Sequence, residues 1–238
     1  MADRFERRYA TAAPRATAAI DEGLRTYMLK VYNYMASGVL LTGIVAYATA
    51  QSPTLLKAIY GTPLFWLVAL APLGIVFFMS ARLNKMSASA AQTTFWIFAG
   101  LMGLSLASIF IVYTGASIAR VFFITAGAFS ALSLYGYTTR RDLTAFRSFL
   151  MMGLFGIIIA MVVNIFLGSS MLNFMISVIG VLIFSGLTAY DTQAIRNMYM
   201  AGDGHEVGTK KAVMGALRLY LDFINLFLML LRLFGGRN

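Results

Sequence analysis

Phe184-Ser-Gly-Leu-Thr-Ala-Tyr-Asp191-Thr-Gln193 closes a run of 43 uncharged residues, Ser148 to Tyr190, and sets an acid at its end. As one helix that run would rise about 65 Å, the depth of two hydrocarbon cores. The chain must therefore turn back inside it, and Gly168-Ser-Ser170 is the natural break. Two adjacent membrane spans result, the second ending near Asp191.

The same arithmetic extends in both directions. With 60% hydrophobic and only 12% charged residues, the chain is far from the roughly 25% charged composition of soluble domains. Predominantly apolar stretches with few or no charges place spans at about 31–50, 62–81, 88–113, 120–138, 148–167, 171–191 and 213–234, each close to the ~20 residues that cross a bilayer core as helix. Pro63 falls in a first turn, where it is tolerated, and Pro72 in a helix interior, where a kink is expected. Tyr-Thr-Gly115 separates the third and fourth spans, and Gly235-Gly236 ends the seventh. The fold class is all-α: a polytopic seven-helix bundle, with residues 1–30 a polar cytoplasmic tail and residues 31–238 one transmembrane domain.

Charge gives the orientation. Of the 19 Lys and Arg residues, 15 fall in the N-terminal tail, in the second, fourth and sixth loops or, for Arg218, at the adjoining edge of the seventh helix, and Lys57, Arg120, Arg232 and Arg237 on the other side. The positive-inside rule then puts the N-terminus in the cytoplasm and the C-terminus outside. The formal net charge of +10 is scattered in short clusters between apolar runs instead of lining one face, which argues against a nucleic-acid partner. There is no cysteine, hence no thiolate chemistry, and the single histidine, His205, reads as a solvated loop residue. Residues 1–30 contain no apolar core of a signal peptide.

Asp191 has a counterpart in Leu219-Tyr-Leu-Asp222-Phe-Ile-Asn225-Leu-Phe227. An acid inside a membrane span costs at least a few kcal/mol when ionised and normally faces a partner or a wet cavity. Arg218, Asp222 and Asn225 share one face of the seventh span, and Phe184, Thr188 and Asp191 one face of the sixth. If the faces meet, the two acids form a carboxyl pair that shares a proton at low pH. Such a pair can also bind a hard cation such as calcium, which prefers oxygen ligands. Small residues Ala99, Gly103 and Ala107, with Gly153 and Gly156, mark close helix packing, and Asn164 and Asn225 are candidates for interhelical hydrogen bonds.

Phe184-Ser-Gly186 with Tyr190-Asp-Thr-Gln193 and Ile195, followed by Ala216-Leu-Arg-Leu-Tyr-Leu-Asp-Phe-Ile-Asn-Leu-Phe227, resembles the signature of the Bax inhibitor-1-like family, in its bacterial branch. The match is specific over spans six and seven, and the seven-span layout is similar over nearly the whole chain. The resemblance implies six helices around a central seventh, a multi-pass protein of the bacterial inner membrane and a pH-sensitive calcium leak. It places the paired aspartates of the pH sensor on Asp191 and Asp222, with Arg82 the candidate for an arginine that latches one of them. It also links such proteins to a membrane-bound protease partner. No cofactor is implied beyond a calcium ion at the pair, and no enzymatic activity.

The chain departs from the family pattern twice: the second span has Ala69-Leu-Ala-Pro72 where some bacterial relatives carry an acid, and Ala201 to Gly208 lengthen the loop between the acids. Two other classes compete with the leak. Tyr190-Asp191 resembles the first motif of intramembrane aspartyl proteases, but the second acid lies in Leu-Tyr-Leu-Asp and no Pro-Ala-Leu motif is present. A non-conducting interaction or regulatory protein, whose acids only fix helix packing, is the other.

Overall fold

The computed structural model describes residues 2–237, with side chains from residue 21 onward. Nine helices follow in order: α1 (Ala2–Ala50), α2 (Pro53–Tyr60), α3 (Leu64–Arg82), α4 (Ala88–Leu106), α5 (Ile109–Val112), α6 (Gly115–Thr138), α7 (Arg147–Leu167), α8 (Ser170–Asn197) and α9 (His205–Phe234). Seven stretches are long and apolar enough to cross a membrane, and α4 with α5 makes up one of them. Their outward faces are apolar where water would demand polar groups, as at Phe123, Ile165 and Phe166, which are 74–83% exposed. That pattern suits a hydrocarbon solvent.

The seventh span is the centre. In its apolar window 72% of α9 is buried, against 39% for α8 and 33% or less for the others. Small residues permit this: Ala212 and Ala216 are fully buried, and Gly215 leaves room for the Ile195 side chain. Farther along α9, Tyr220 is fully buried, edge-on to Phe95 and Phe98 of α4. Its hydroxyl meets Thr42 Oγ1 at 2.6 Å, and Thr42 donates on to the Ala99 carbonyl at 2.8 Å, so α9, α1 and α4 share one polar link in the apolar core.

Helix ends follow local chemistry. Ser52, Ser87, Thr114 and Ser169 each accept a hydrogen bond from a first-turn amide as N-caps. Gly168 turns the long uncharged run where expected: its φ of 61° is a left-handed conformation that glycine adopts without a Cβ clash. Asn164 does not bridge helices. Its carbonyl oxygen accepts from Ser169 N at 3.0 Å and completes that same turn. Asn225 likewise donates to the Leu221 carbonyl of its own helix.

Several boundaries lie outside the expected spans. The helix of the first span is already packed at Tyr27 and Met28, both buried, so the last part of the polar tail belongs to the bundle. Residues 1–20 of that tail lie outside the described side chains. Six residues beyond Asp191 remain helical in α8, and α9 begins at His205, within the loop insertion. Charged groups extend these ends because Lys211 binds Asp203 at 2.6 Å and Met198 O at 3.0 Å, and Lys210 pairs with Glu206. The short α2 was not anticipated. Its Tyr60 hydroxyl donates to the Leu104 carbonyl and accepts from Ser108 N, occupying groups freed where α4 gives way to α5.

Of the small residues, Gly103 abuts Val45 and the Thr42 carbonyl on α1, and Gly153 abuts Ile183 on α8, whereas Gly156 has no neighbour within 4 Å. α3 continues through Pro72 as one helix.

Candidate functional site

Helices α8 and α9 form an antiparallel pair whose register is set by glycine contacts. Gly180 lies against Met229, and Gly215 against Ile195. Interpolated between those points, Asp191 stands level with Arg218, and Thr188 with Asp222, leaving the acids about one helical turn apart across the interface. The Asp191 and Asp222 side chains are close enough to act on each other electrostatically, with no hydrogen bond between them among the described residues. Asp222 is 5% exposed, the most enclosed carboxylate among the described residues. Its Oδ2 is one of two buried side-chain polar atoms without a partner among the described residues. Carboxylates only accept hydrogen bonds, so a bond between the two acids requires a proton on one of them.

The cation nearest this pair is Arg218, whose Nη1 stands 3.9 Å from Asp191 Oδ1. The Arg218 side chain is 42% exposed and that of Asp191 17%, so the contact is a long, partly solvated ion pair. Arg147, at the start of α7, also acts electrostatically on Asp191. Arg82 is not brought to the site: its side chain is exposed at the end of α3 and makes no ion pair among the described residues. Thr188 is fully buried, and its hydroxyl is spent on the Phe184 carbonyl one turn back at 2.8 Å.

A polar clamp folds the α6–α7 loop, which leads into Arg147, onto α8. Gln193 accepts from Leu143 N and donates to the Arg141 carbonyl, both at 2.8 Å, and Arg196 donates to the Tyr137 carbonyl. Within the loop, Asp142 accepts from Thr144 N at 2.9 Å, and the Thr144 side chain and amide together hold its carboxyl below the ordinary value. A second polar line runs inward: Tyr32 Oη meets Ser133 Oγ at 2.6 Å, and Ser133 meets Thr192 Oγ1 at 2.9 Å, beside Asp191.

Tyr27 lies buried toward the N-terminal end of α9. Its hydroxyl is the other buried polar atom without a partner. Arg218 and Asp203 both act on it electrostatically, and its ring lies 5.7 Å from that of Tyr199. Neither Tyr27 nor Arg147 was a sequence candidate. Each is distant in sequence from α9 and is brought toward Arg218 or Asp191 only by tertiary packing, so no spacing rule could have found them.

As calcium ligands, Asp191 and Asp222 supply oxygens of the preferred kind, but calcium takes about six to eight. Among the described residues there is no group of three or more His, Cys, Asp or Glu side chains. Arg218 moreover occupies one side of Asp191. The two carboxylates alone are too few oxygens for a resident calcium ion.

A seven-span helical bundle built around one buried helix, with an acid on each of its two most buried helices, defines a polytopic α-helical membrane protein. The sequence profile of the family described as "Inhibitor of apoptosis-promoting Bax1" matches residues 24–238. The chain is 47% identical to the inner membrane protein YbhL of Escherichia coli, over 99% of this chain and 100% of that protein. It is 51% identical to an uncharacterized protein of Rickettsia prowazekii over 92% of each, and 46% identical to one of Caulobacter vibrioides over 98% of each. The chain belongs to the Bax inhibitor-1-like family.

Proposed function

We propose that this protein is a pH-sensitive calcium leak, gated by the Asp191–Asp222 pair and situated in the bacterial inner membrane with its N-terminus in the cytoplasm. The observation that carries the reading is the buried Asp222 Oδ2, which has no donor and whose carboxyl faces a second carboxyl. An acid pair of this kind, desolvated within a membrane bundle, is costly to keep and is expected to serve function. The inner-membrane placement is supported by the name of the Escherichia coli relative, and the orientation by the distribution of Lys and Arg.

In this mechanism Arg218 takes the latching role, since it stands against Asp191 and Arg82 does not. Arginine stays charged at every relevant pH and favours ionised Asp191. Acidification neutralises Asp191 and frees Arg218, loosening α8 from α9. The same proton competes with calcium for the carboxylate oxygens, so pH acts on gate and cargo with opposite signs. Calcium is the cargo, and the chemistry is conduction, without an enzymatic step.

The second reading, a non-conducting regulator that engages a membrane protease, is favoured by the dense packing of α9, 72% of whose apolar window is buried. Calcium flux into liposomes separates the two. Protein-dependent flux above empty liposomes, altered by Asp222→Leu, supports the leak, and equal flux with and without protein refutes it.

A further inference from the structure

Helices α1 and α6 stand apart for most of their length, meeting chiefly through the Tyr32–Ser133 hydrogen bond, and between them opens a cavity of about 620 Å³. Its floor is Phe223 of α9, held edge-on by Phe122 and Phe129 of α6 with ring centroids 5.5 Å away. The walls are almost wholly apolar, from Met28 to Leu40 on α1 and from Phe122 to Tyr137 on α6. One charged residue lines the cavity, Arg25, at its end. Arg25 is exposed, and no carboxylate among the described residues lies within ion-pair distance of it.

Two dimensions select the occupant. From Arg25 to Leu40 the groove follows 15 residues of α1, about 22 Å of helix. That is half of the roughly 40–45 Å of a whole bilayer, so the groove has the depth of one leaflet with its headgroup zone. It is apolar along the hydrocarbon part and cationic at the headgroup end. A spanning helix from another protein would need an apolar groove through both leaflets, and would meet an unpaired charge at one end of this one.

We infer that the α1–α6 groove is a binding site for one anionic phospholipid, with an acyl chain lying over Phe223 and the phosphate at Arg25. The site is separate from the acid pair but linked to it, because Tyr32 and Ser133 line the groove and Ser133 bonds Thr192, the residue after Asp191. An acyl chain between α1 and α6 therefore props apart two helices whose polar contact runs to the acid-bearing helix.

Native mass spectrometry of the detergent-purified full chain, with added phosphatidylglycerol or phosphatidylcholine of matched chains, tests this. The wild type should retain one phosphatidylglycerol in preference to phosphatidylcholine. Arg25→Ala should lower that preference about fivefold, the equivalent of the ~1 kcal/mol a basic residue contributes near an anionic surface, while Arg25→Lys keeps it. Ala36→Trp, at an exposed position on the α1 wall, should displace both lipids without unfolding the chain, as judged by an unchanged melting temperature. Equal retention of the two lipids, a preference insensitive to Arg25→Ala, or a chain dimer that Ala36→Trp dissociates would each overturn the assignment. Retention that survives Ala36→Trp in a folded protein would do so too, by placing the lipid elsewhere.

Discussion

Gly136 on α6 sits so close to α8 that a Cβ there would lie 2.2 Å from the Ala189 carbonyl oxygen and 2.9 Å from its carbon. Those atoms are backbone, two residues from Asp191, and cannot rotate away. To restore ordinary contact at 3.4 Å, Gly136→Ala must move α6 from α8 by about 1.2 Å. The Ser133–Thr192 bond, now 2.9 Å, would stretch past hydrogen-bonding range. Overpacking of a well-filled interface costs about 1–3 kcal/mol, and the lost bond adds about 0.6 kcal/mol, the average in membranes. Gly127 on the same helix has no atom within 4 Å of its would-be Cβ, so Gly127→Ala should be neutral or stabilise by about 0.5–1 kcal/mol through helix propensity. Reversible unfolding of both variants in mixed micelles should separate them by roughly 2–4 kcal/mol. Equal stability would refute the close α6–α8 packing that positions Asp191.

Arg218→Gln should raise basal calcium leak near neutral pH up to about fivefold, since a half-exposed pair is worth at most about 1 kcal/mol, whereas Arg82→Gln should leave it unchanged; liposome flux at pH 7 reads both. Gln193→Leu orphans the buried Leu143 amide and removes the donor to Arg141 O, so unfolding should show a loss of about 1–3 kcal/mol, with Gln193→Glu, which keeps the acceptor, losing less. Asp142 has a folded pKa depressed by Thr144, so its contribution is present above the unfolded carboxylate value and lost as pH falls through the folded one. The protection factor of the Thr144 amide, the slowing of its exchange relative to the unstructured chain at the same pH, should therefore fall in the acid range, and Asp142→Asn should flatten that dependence.

The spans were legible in the sequence because hydrocarbon imposes a length and a composition on any helix that crosses it, and the run from Ser148 to Tyr190 could satisfy both only by folding at Gly168. The central place of α9 was legible only through family resemblance, since its apolarity alone does not distinguish it from α7. Helix ends were less legible. Charged α8 and α9 termini continue past the apolar runs, held by Lys211 and Asp203, and hydropathy stops counting where such residues begin. The acids stood out as charges in apolar surroundings, but their neighbours did not. Arg82 and Arg218 look alike in sequence, and it is the register fixed at Gly180 and Gly215 that sets Arg218 beside Asp191. Tyr27 and Arg147 come from distant helices, and Asn164 and Asn225 turned to their own backbones, a choice that residue type leaves open.

The central claim is that Asp191 and Asp222 act as one titrating unit, and the pH profile of calcium flux tests it most directly. Wild type, Asp191→Asn, Asp222→Asn and the double variant would be compared in liposomes across about pH 5–8, the interval around neutrality in which a shared proton is expected to act. The account predicts a pH response in the wild type, its loss in either single variant, and a double variant indistinguishable from the singles. A wild-type response that persists in the double variant, or that is removed only when both acids are replaced, would contradict it.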